Sequence, residues 1–501
     1  MRGRRQMIID ALRMLKIVMD NRISRNVLRM GLKTCKDCHM KEIEHALATF
    51  AGEYAPHKVS CHIYSWIVSA ILMVSGVSFH VDFERLRGYF KDPIVRRGVV
   101  GVLSGIGRYG ITKPQFLDAP FLVVWNYTNA CNLRCKHCYQ RADRPAPNEL
   151  PTREKFRIVS DLAEAGVVSI AFSGGEPLMS RDFYKVATET KKRGMYVALA
   201  TNGTLITPRV AGRLKECGVE YVEVSLDAAT PEVHDKFRGV PGSFVKTMRG
   251  IKNCVEEGFF TCIATAVTKL NLHEIPRLVR LARDIGAKRF ITFNFIPAGR
   301  AENISDLDLT PDQREELLKL LFRKSRKDGI QILSTAPQFA RVCLAMSGGR
   351  AVAPTHFYVG QASWDLHVLA EFIGGCGAGR LYGALQPNGD VTPCVFMPDL
   401  VVGNVTERTF LDIWHNSEVM WKLRNRELLK GHCGQCEYKY VCGGCRARAL
   451  GYFGDVLAPD PGCVNNEEFY MRYLAGRGKD EALRSNIDLH DFAILQHFRG
   501  P

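Results

Sequence analysis

Six short apolar runs recur through the middle of this chain: Phe121–Asn126, Val168–Ser173, Tyr196–Thr201, Tyr221–Leu226, Thr261–Val267 and Arg289–Phe295. Segments of helical apolar spacing separate them, among them Thr152–Ala165, Asp182–Arg193 and Ile275–Ile285. Short apolar strands alternating with amphipathic helices require parallel pairing, with helices covering the sheet. Six such units predict an α/β fold built as a partial (β/α)6 TIM-like barrel. Barrels of this kind build their reactive sites in the loops after the carboxyl ends of the strands.

The chain has 501 residues, room for more than one barrel. Shifts in composition predict a helical, basic region over 1–115, the barrel over 116–335, a small cysteine-rich domain over 336–474 and a polar tail over 475–501. Seventeen cysteines in a chain with no export signal read as metal or cluster ligands rather than disulfides. That usage predicts a reducing, anaerobic cytoplasm.

The formal net charge is +16. Much of the excess falls early, where Arg2, Arg4, Arg5, Arg13, Lys16, Arg22, Arg25, Arg29 and Lys33 face only Asp10 and Asp20. No aromatic-interleaved basic stripe or nucleic-acid motif accompanies it, which argues against a nucleic-acid partner. Residues 5–31 have the pattern of a basic amphipathic helix, suited to peripheral attachment at the inner membrane face. From Ile63 to Val81 the only residue able to carry charge is His80, but five serine and glycine residues make a buried core helix the expected state.

The first strand leads directly into Cys131-x3-Cys135-x2-Cys138. Three thiolates at this spacing suit three corners of a cubane iron–sulfur cluster, leaving one iron open to a substrate or second cofactor. With this motif the chain resembles the radical S-adenosylmethionine (radical SAM) enzymes. Further matches stand at successive strand ends. Ser173-Gly174-Gly175-Glu176-Pro177 is similar to the family's motif for the SAM amino group. Asn202 in Thr201-Asn202-Gly203, together with Ser225 and Asp227, stands where the family binds ribose hydroxyls. Tyr139 stands where an aromatic contacts adenine, and Arg238 is a candidate partner of the SAM carboxylate. The family's glycine-rich motif after strand five has no clear copy in Cys262–Asn271.

Cys376-x12-Gly389-x4-Cys394, then Cys433-x2-Cys436-x5-Cys442-x2-Cys445 and Cys463, resembles the SPASM extension that holds auxiliary clusters. The resemblance implies one cluster on Cys433, Cys436, Cys442 and Cys463. A second falls to Cys376, Cys394 and Cys445, with an open iron or Cys343 completing it. Structural zinc is the alternative for Cys433–Cys445 alone. The run Val441–Ala449, with Gly454-Asp455 and Asp460–Cys463, is most like the branch that modifies tetrapyrroles.

By resemblance, a reductase or ferredoxin delivers an electron to the open-site [4Fe-4S] cluster. SAM is then split to methionine and a 5′-deoxyadenosyl radical, which takes hydrogen from an unactivated C–H bond. The basic amphipathic segment and the apolar 63–81 segment point to a lipid or other membrane-associated substrate, cross-linked or functionalised at carbon. The alternatives are a peptide maturase and a tetrapyrrole side-chain enzyme. Cys35-x2-Cys38 and Cys61, near His39, His57 and His62, make an incomplete metal set, and buried thiols are the expected state there.

Overall fold

The computed structural model describes residues 20–35, 40–79, 83–349 and 370–476. The first part of the basic amphipathic segment, Cys38, His39, His80 and all but the first residues of the 475–501 tail lie outside the described residues.

The chain is an α/β fold around one ten-stranded sheet. Six parallel strands occupy the expected positions: β1 (Leu122–Thr128), β2 (Ser169–Gly174), β3 (Tyr196–Thr201), β4 (Val219–Ser225), β5 (Phe260–Val267) and β6 (Arg289–Asn294). They pair in chain order, with Val124 opposite Ala171 and Ala264 opposite Ile291. The sheet also continues at both edges. β7 (Gln331–Ser334) adds in parallel to β6, after the helix Pro311–Ser325. β8 (Tyr382–Leu385) adds in parallel to β1, and β9 (Asp390–Thr392) and β10 (Gly403–Asn404) follow antiparallel. Strands of four residues or fewer with no alternation of their own carry too little pattern to be read from sequence.

The alternation of side chains explains how the barrel is filled. Trp125 and Tyr127 of β1 lie fully buried with Phe172 and Phe183 in the core between sheet and helices. Asn126, between them in sequence, points the other way, to the tyrosine hydroxyl of Tyr139. A smaller apolar group of Cys262, Ala264, Ile291 and Leu333 lines the barrel interior beside Tyr221 and Phe293.

The N-terminal region is helical. Its helices Arg22–Gly31, Glu42–Phe50, Val59–Phe79 and Pro93–Tyr109 share a core of Leu28, Ile43, Leu47, Tyr64, Val68 and Ile106. Two arginines of the basic segment, half-buried Arg25 and exposed Arg29, bond to main-chain carbonyls of a neighbouring helix. Arg25 Nη2 donates to Arg108 O at 2.7 Å and Arg29 Nε donates to Gly107 O at 2.8 Å. They cap the carboxyl end of Pro93–Tyr109, where its dipole favours cations. Val59–Phe79 packs on Glu42–Phe50 through Tyr64 and Val68. No helix among the described residues is long and apolar enough to cross a membrane.

Candidate active site

The cysteine loop leaves β1 and is pinned from three sides. Cys131 N donates to Asp143 O at 3.0 Å, closing the loop on itself. Arg134 N and Lys136 N donate to Arg238 O and Phe237 O, the end of the helix Pro231–Arg238. Arg300 completes the grip, its Nε donating to Cys135 O and its backbone N to Cys138 O, both at 2.9 Å. Burial pushes the Cys131 thiol up to about 12, and burial also raises Cys135. Thiolates are stable here only beside a strong positive charge, which bound iron supplies. Among the described residues, only Cys35, His57 and Cys61 bring three such ligand atoms within 4.8 Å of one another. The Cys131, Cys135 and Cys138 sulfurs therefore stand too far apart for one ion, and the donor set fits a cluster.

The glycine–glutamate motif lies against this loop. Gly175 N donates to Thr128 O and Glu176 N to Ala130 O. A Cβ on Gly175 would meet Ala130 O at 2.1 Å, so only glycine allows this approach. Glu176 is fully buried just after β2. Its carboxylate accepts from Thr201 Oγ1 at 2.8 Å and Asn202 N at 2.9 Å. Full burial, partly offset by these bonds, holds its pKa up at about 7. Its geometry suits positioning the motif's backbone. Asn202 in turn donates to Asn132 Oδ1 at 2.8 Å, and Asn132 donates to Thr204 Oγ1 at 2.8 Å, tying the cysteine loop to the end of β3. Sequence reading passed over Asn132 because it sits among the cysteines with no motif of its own. Ser225 is half-buried at the carboxyl end of β4.

Asp227 and Arg238 meet each other. Arg238 Nε donates to Asp227 Oδ2 at 2.6 Å, and Arg238 Nη1 lies 3.7 Å from Cys135 Sγ. Asp227 Oδ1 accepts from Ala266 N at 2.9 Å. His137, stacked on Phe237 at 4.1 Å, stands 3.6 Å from Asp227. Burial outweighs that carboxylate and brings His137 down to about 4, so its imidazole is neutral. Arg238 is buried and paired, and its partners are a carboxylate and a cysteine of the Cys131 loop.

Tyr139 points into the barrel. Its hydroxyl donates to Asn126 Oδ1 at 3.1 Å and lies 3.3 Å from Ser173 Oγ. Its ring meets Phe396 of the C-terminal region edge-on at 4.8 Å. Gln386, which the sequence did not single out, joins this polar floor by accepting from Asn126 and Gln140.

The C-terminal cysteines fall into two groups. Cys376, Cys394 and Cys445 share one apolar cluster and line a small pocket with Asn294, Tyr382 and Phe396. Burial raises Cys394 to about 12 and raises Cys445 beyond that. Cys433, Cys442 and Cys463 lie within electrostatic reach of one another, and Cys436 of Cys433. Cys433 Sγ takes N–H groups from Asn466 at 3.3 Å and Asp460 at 3.5 Å, the pattern that stabilises cluster thiolates. Beside them Arg426 is fully buried, its Nε and Nη1 without a hydrogen-bond partner among the described residues, and burial lowers its pKa. A buried cation left short of acceptors fits an anionic cluster in the space beside it. Cys343 packs in the core between the sheet and its helices, in a different apolar cluster from the one that Cys376, Cys394 and Cys445 share.

Comparison with known proteins decides the family. Residues 125–282 match the radical SAM superfamily and residues 376–445 match SPASM, an iron–sulfur cluster-binding domain. The chain is a radical SAM enzyme. Members of this class carry a [4Fe-4S] cluster, S-adenosylmethionine and, with SPASM, auxiliary clusters, and they require an electron donor. It is 37% identical to the AdoMet-dependent heme synthase of Methanosarcina barkeri, over 69% of this chain and 97% of that protein. It is 33% identical to the mycofactocin maturase MftC of Mycobacterium tuberculosis, over 70% of this chain and 84% of that one. Its fold is similar to Streptococcus suis SuiB bound to S-adenosylmethionine, with TM-score 0.59 at 18% identity, covering 85% of this chain and 93% of that one. These relatives favour the tetrapyrrole and peptide alternatives over the lipid substrate expected from the N-terminal region.

Proposed function

We propose that this radical SAM enzyme abstracts hydrogen from a side-chain carbon of a tetrapyrrole. The observation that supports this reading is the 37% identity spanning nearly the whole of an AdoMet-dependent heme synthase. The relatives support it over the lipid reading, which rested on the basic amphipathic segment and the apolar 63–81 segment.

Cys131, Cys135 and Cys138 would hold the cluster with the open iron. That centre, when bound and reduced by a reductase or ferredoxin, supplies the electron that splits S-adenosylmethionine. The residues around it orient and shield. Glu176 fixes the Gly174-Gly175 backbone to β3, so that its carbonyls are presented to the SAM amino group. Asn202 and Ser225 would face the ribose from neighbouring strand ends, and Tyr139 would border the adenine. Asp227 would act through Arg238, whose guanidinium lies beside Cys135. Auxiliary clusters on Cys376, Cys394 and Cys445 and on Cys433, Cys436, Cys442 and Cys463 would border the substrate from the C-terminal side. The cytoplasm is the compartment consistent with these thiolates.

The test is incubation of the reconstituted, dithionite-reduced enzyme with SAM and iron-bound or metal-free coproporphyrins. Stoichiometric 5′-deoxyadenosine with a changed porphyrin mass supports the reading. Unchanged porphyrin with modification of a cysteine-rich precursor peptide favours the maturase reading, which the 33% identity to MftC supports.

A further inference from the structure

A second metal-type site lies about 60 residues ahead of the barrel. Cys35 stands 22 residues before His57, which is four before Cys61, and none belongs to either cluster region, yet their ligand atoms all lie within 4.8 Å of one another. His57 Nε2 is 3.4 Å from Cys35 Sγ and 3.9 Å from Cys61 Sγ. A tetrahedral zinc ion with Zn–N and Zn–S bonds of about 2.0–2.3 Å separates neighbouring ligand atoms by roughly 3.5–3.8 Å. The observed separations bracket that range. We propose that Cys35, His57 and Cys61 form a mononuclear zinc site that fastens the N-terminal helices together.

Each ligand is presented by a different piece of backbone. Cys35 opens a short loop whose ends are held together, with Cys35 N donating to Met40 O at 2.8 Å and Thr34 bridging Lys41. Cys61 lies in the first turn of Val59–Phe79, and His57 precedes that helix by two residues, one helical turn from Cys61. His45 of Glu42–Phe50 meets the His57 ring edge-on at 5.0 Å and restricts its rotation. Both sulfurs are buried while His57 is exposed, so an ion has a route in past the imidazole. His62, the residue after Cys61, is exposed and outside the set.

Chemistry favours zinc over iron here. The three ligand atoms are too close to span a cubane and suit one ion. Binding Zn²⁺ releases the two thiol protons, and two thiolates with a neutral imidazole leave the centre without net charge. A neutral centre is tolerated at a buried position. The fourth tetrahedral position is left to a further donor.

The test uses full-length enzyme with its iron sites filled anaerobically first, so that zinc has no access to the other cysteines. One zinc per chain is expected after incubation with zinc sulfate and desalting. Cobalt in its place should show a thiolate-to-metal charge-transfer band. Cys35→Ser with Cys61→Ser should weaken zinc binding by more than the about 10–100-fold that outer-shell changes cause. His57→Ala, at an exposed position, should weaken binding likewise and covers the case in which the double variant does not fold. Substoichiometric zinc in the wild type, a Cys35–Cys61 disulfide, a cobalt spectrum without the thiolate band, or full zinc retention in His57→Ala would each overturn the proposal.

Discussion

Arg238 joins the SAM-cluster loop to the barrel floor: its Nε bonds Asp227 at 2.6 Å while its Nη1 lies 3.7 Å from the sulfur of Cys135. Both side chains are buried, so each charge depends on the other. Asp227→Asn should destabilise the reconstituted protein by about 3–5 kcal/mol, the cost of stranding a buried partner. Denaturant unfolding measures this. Arg238→Leu should also make the potential of the Cys131 cluster more negative, because an N–H donor to sulfur is lost. An anaerobic redox titration followed by electron paramagnetic resonance reads that shift.

Glu176 gives a pH dependence whose sign is fixed. Its folded pKa of about 7 lies above the ordinary 4.5, so the folded state holds the proton more tightly. The corresponding stability is present in full below about 4.5 and lost as pH rises through 7. At about 1.4 kcal/mol per pKa unit, roughly 3 kcal/mol is at stake. Unfolding free energy of wild type minus Glu176→Gln should fall by that order between pH 4.5 and 8. A flat difference would remove the buried carboxyl from the account.

Gly175→Ala should expel the cysteine loop from its seat, since the added methyl meets Ala130 O at 2.1 Å. Iron at the Cys131 site and 5′-deoxyadenosine formation should both drop. Gly212, within the helix Pro208–Glu216, has nothing within 4 Å of a Cβ. Gly212→Ala should therefore stabilise the fold by about 0.5–1 kcal/mol and serves as the control.

The six barrel strands were legible because each carries at least three apolar residues in a run bounded by helical pattern. β7 to β10 were not, being short and dependent on neighbours for their pairing. The cysteine ligands were legible by spacing. What sequence could not show was where the polar side chains point. Glu176 was read only as part of a motif, while its carboxylate accepts from Thr201 and Asn202 of the next strand end. Arg25 and Arg29 looked like a membrane-facing stripe, and they close a helix end. In each case the deciding contact is more than twenty residues away in the chain, beyond the reach of local pattern.

The two groups of C-terminal cysteines predict separable iron losses. Cys394→Ala should remove about four irons per chain, Cys442→Ala another four, and the double variant about eight. Equal losses from either single and from the double would mean one shared cluster.

The most direct measurement is 5′-deoxyadenosine released per reduced enzyme in the presence of SAM, comparing wild type with Cys135→Ala. The account predicts release by the wild type, quickened by a tetrapyrrole whose mass changes in step, and none from the variant. Release that persists in Cys135→Ala, or a reduced, fully reconstituted wild type that leaves SAM intact, would contradict it.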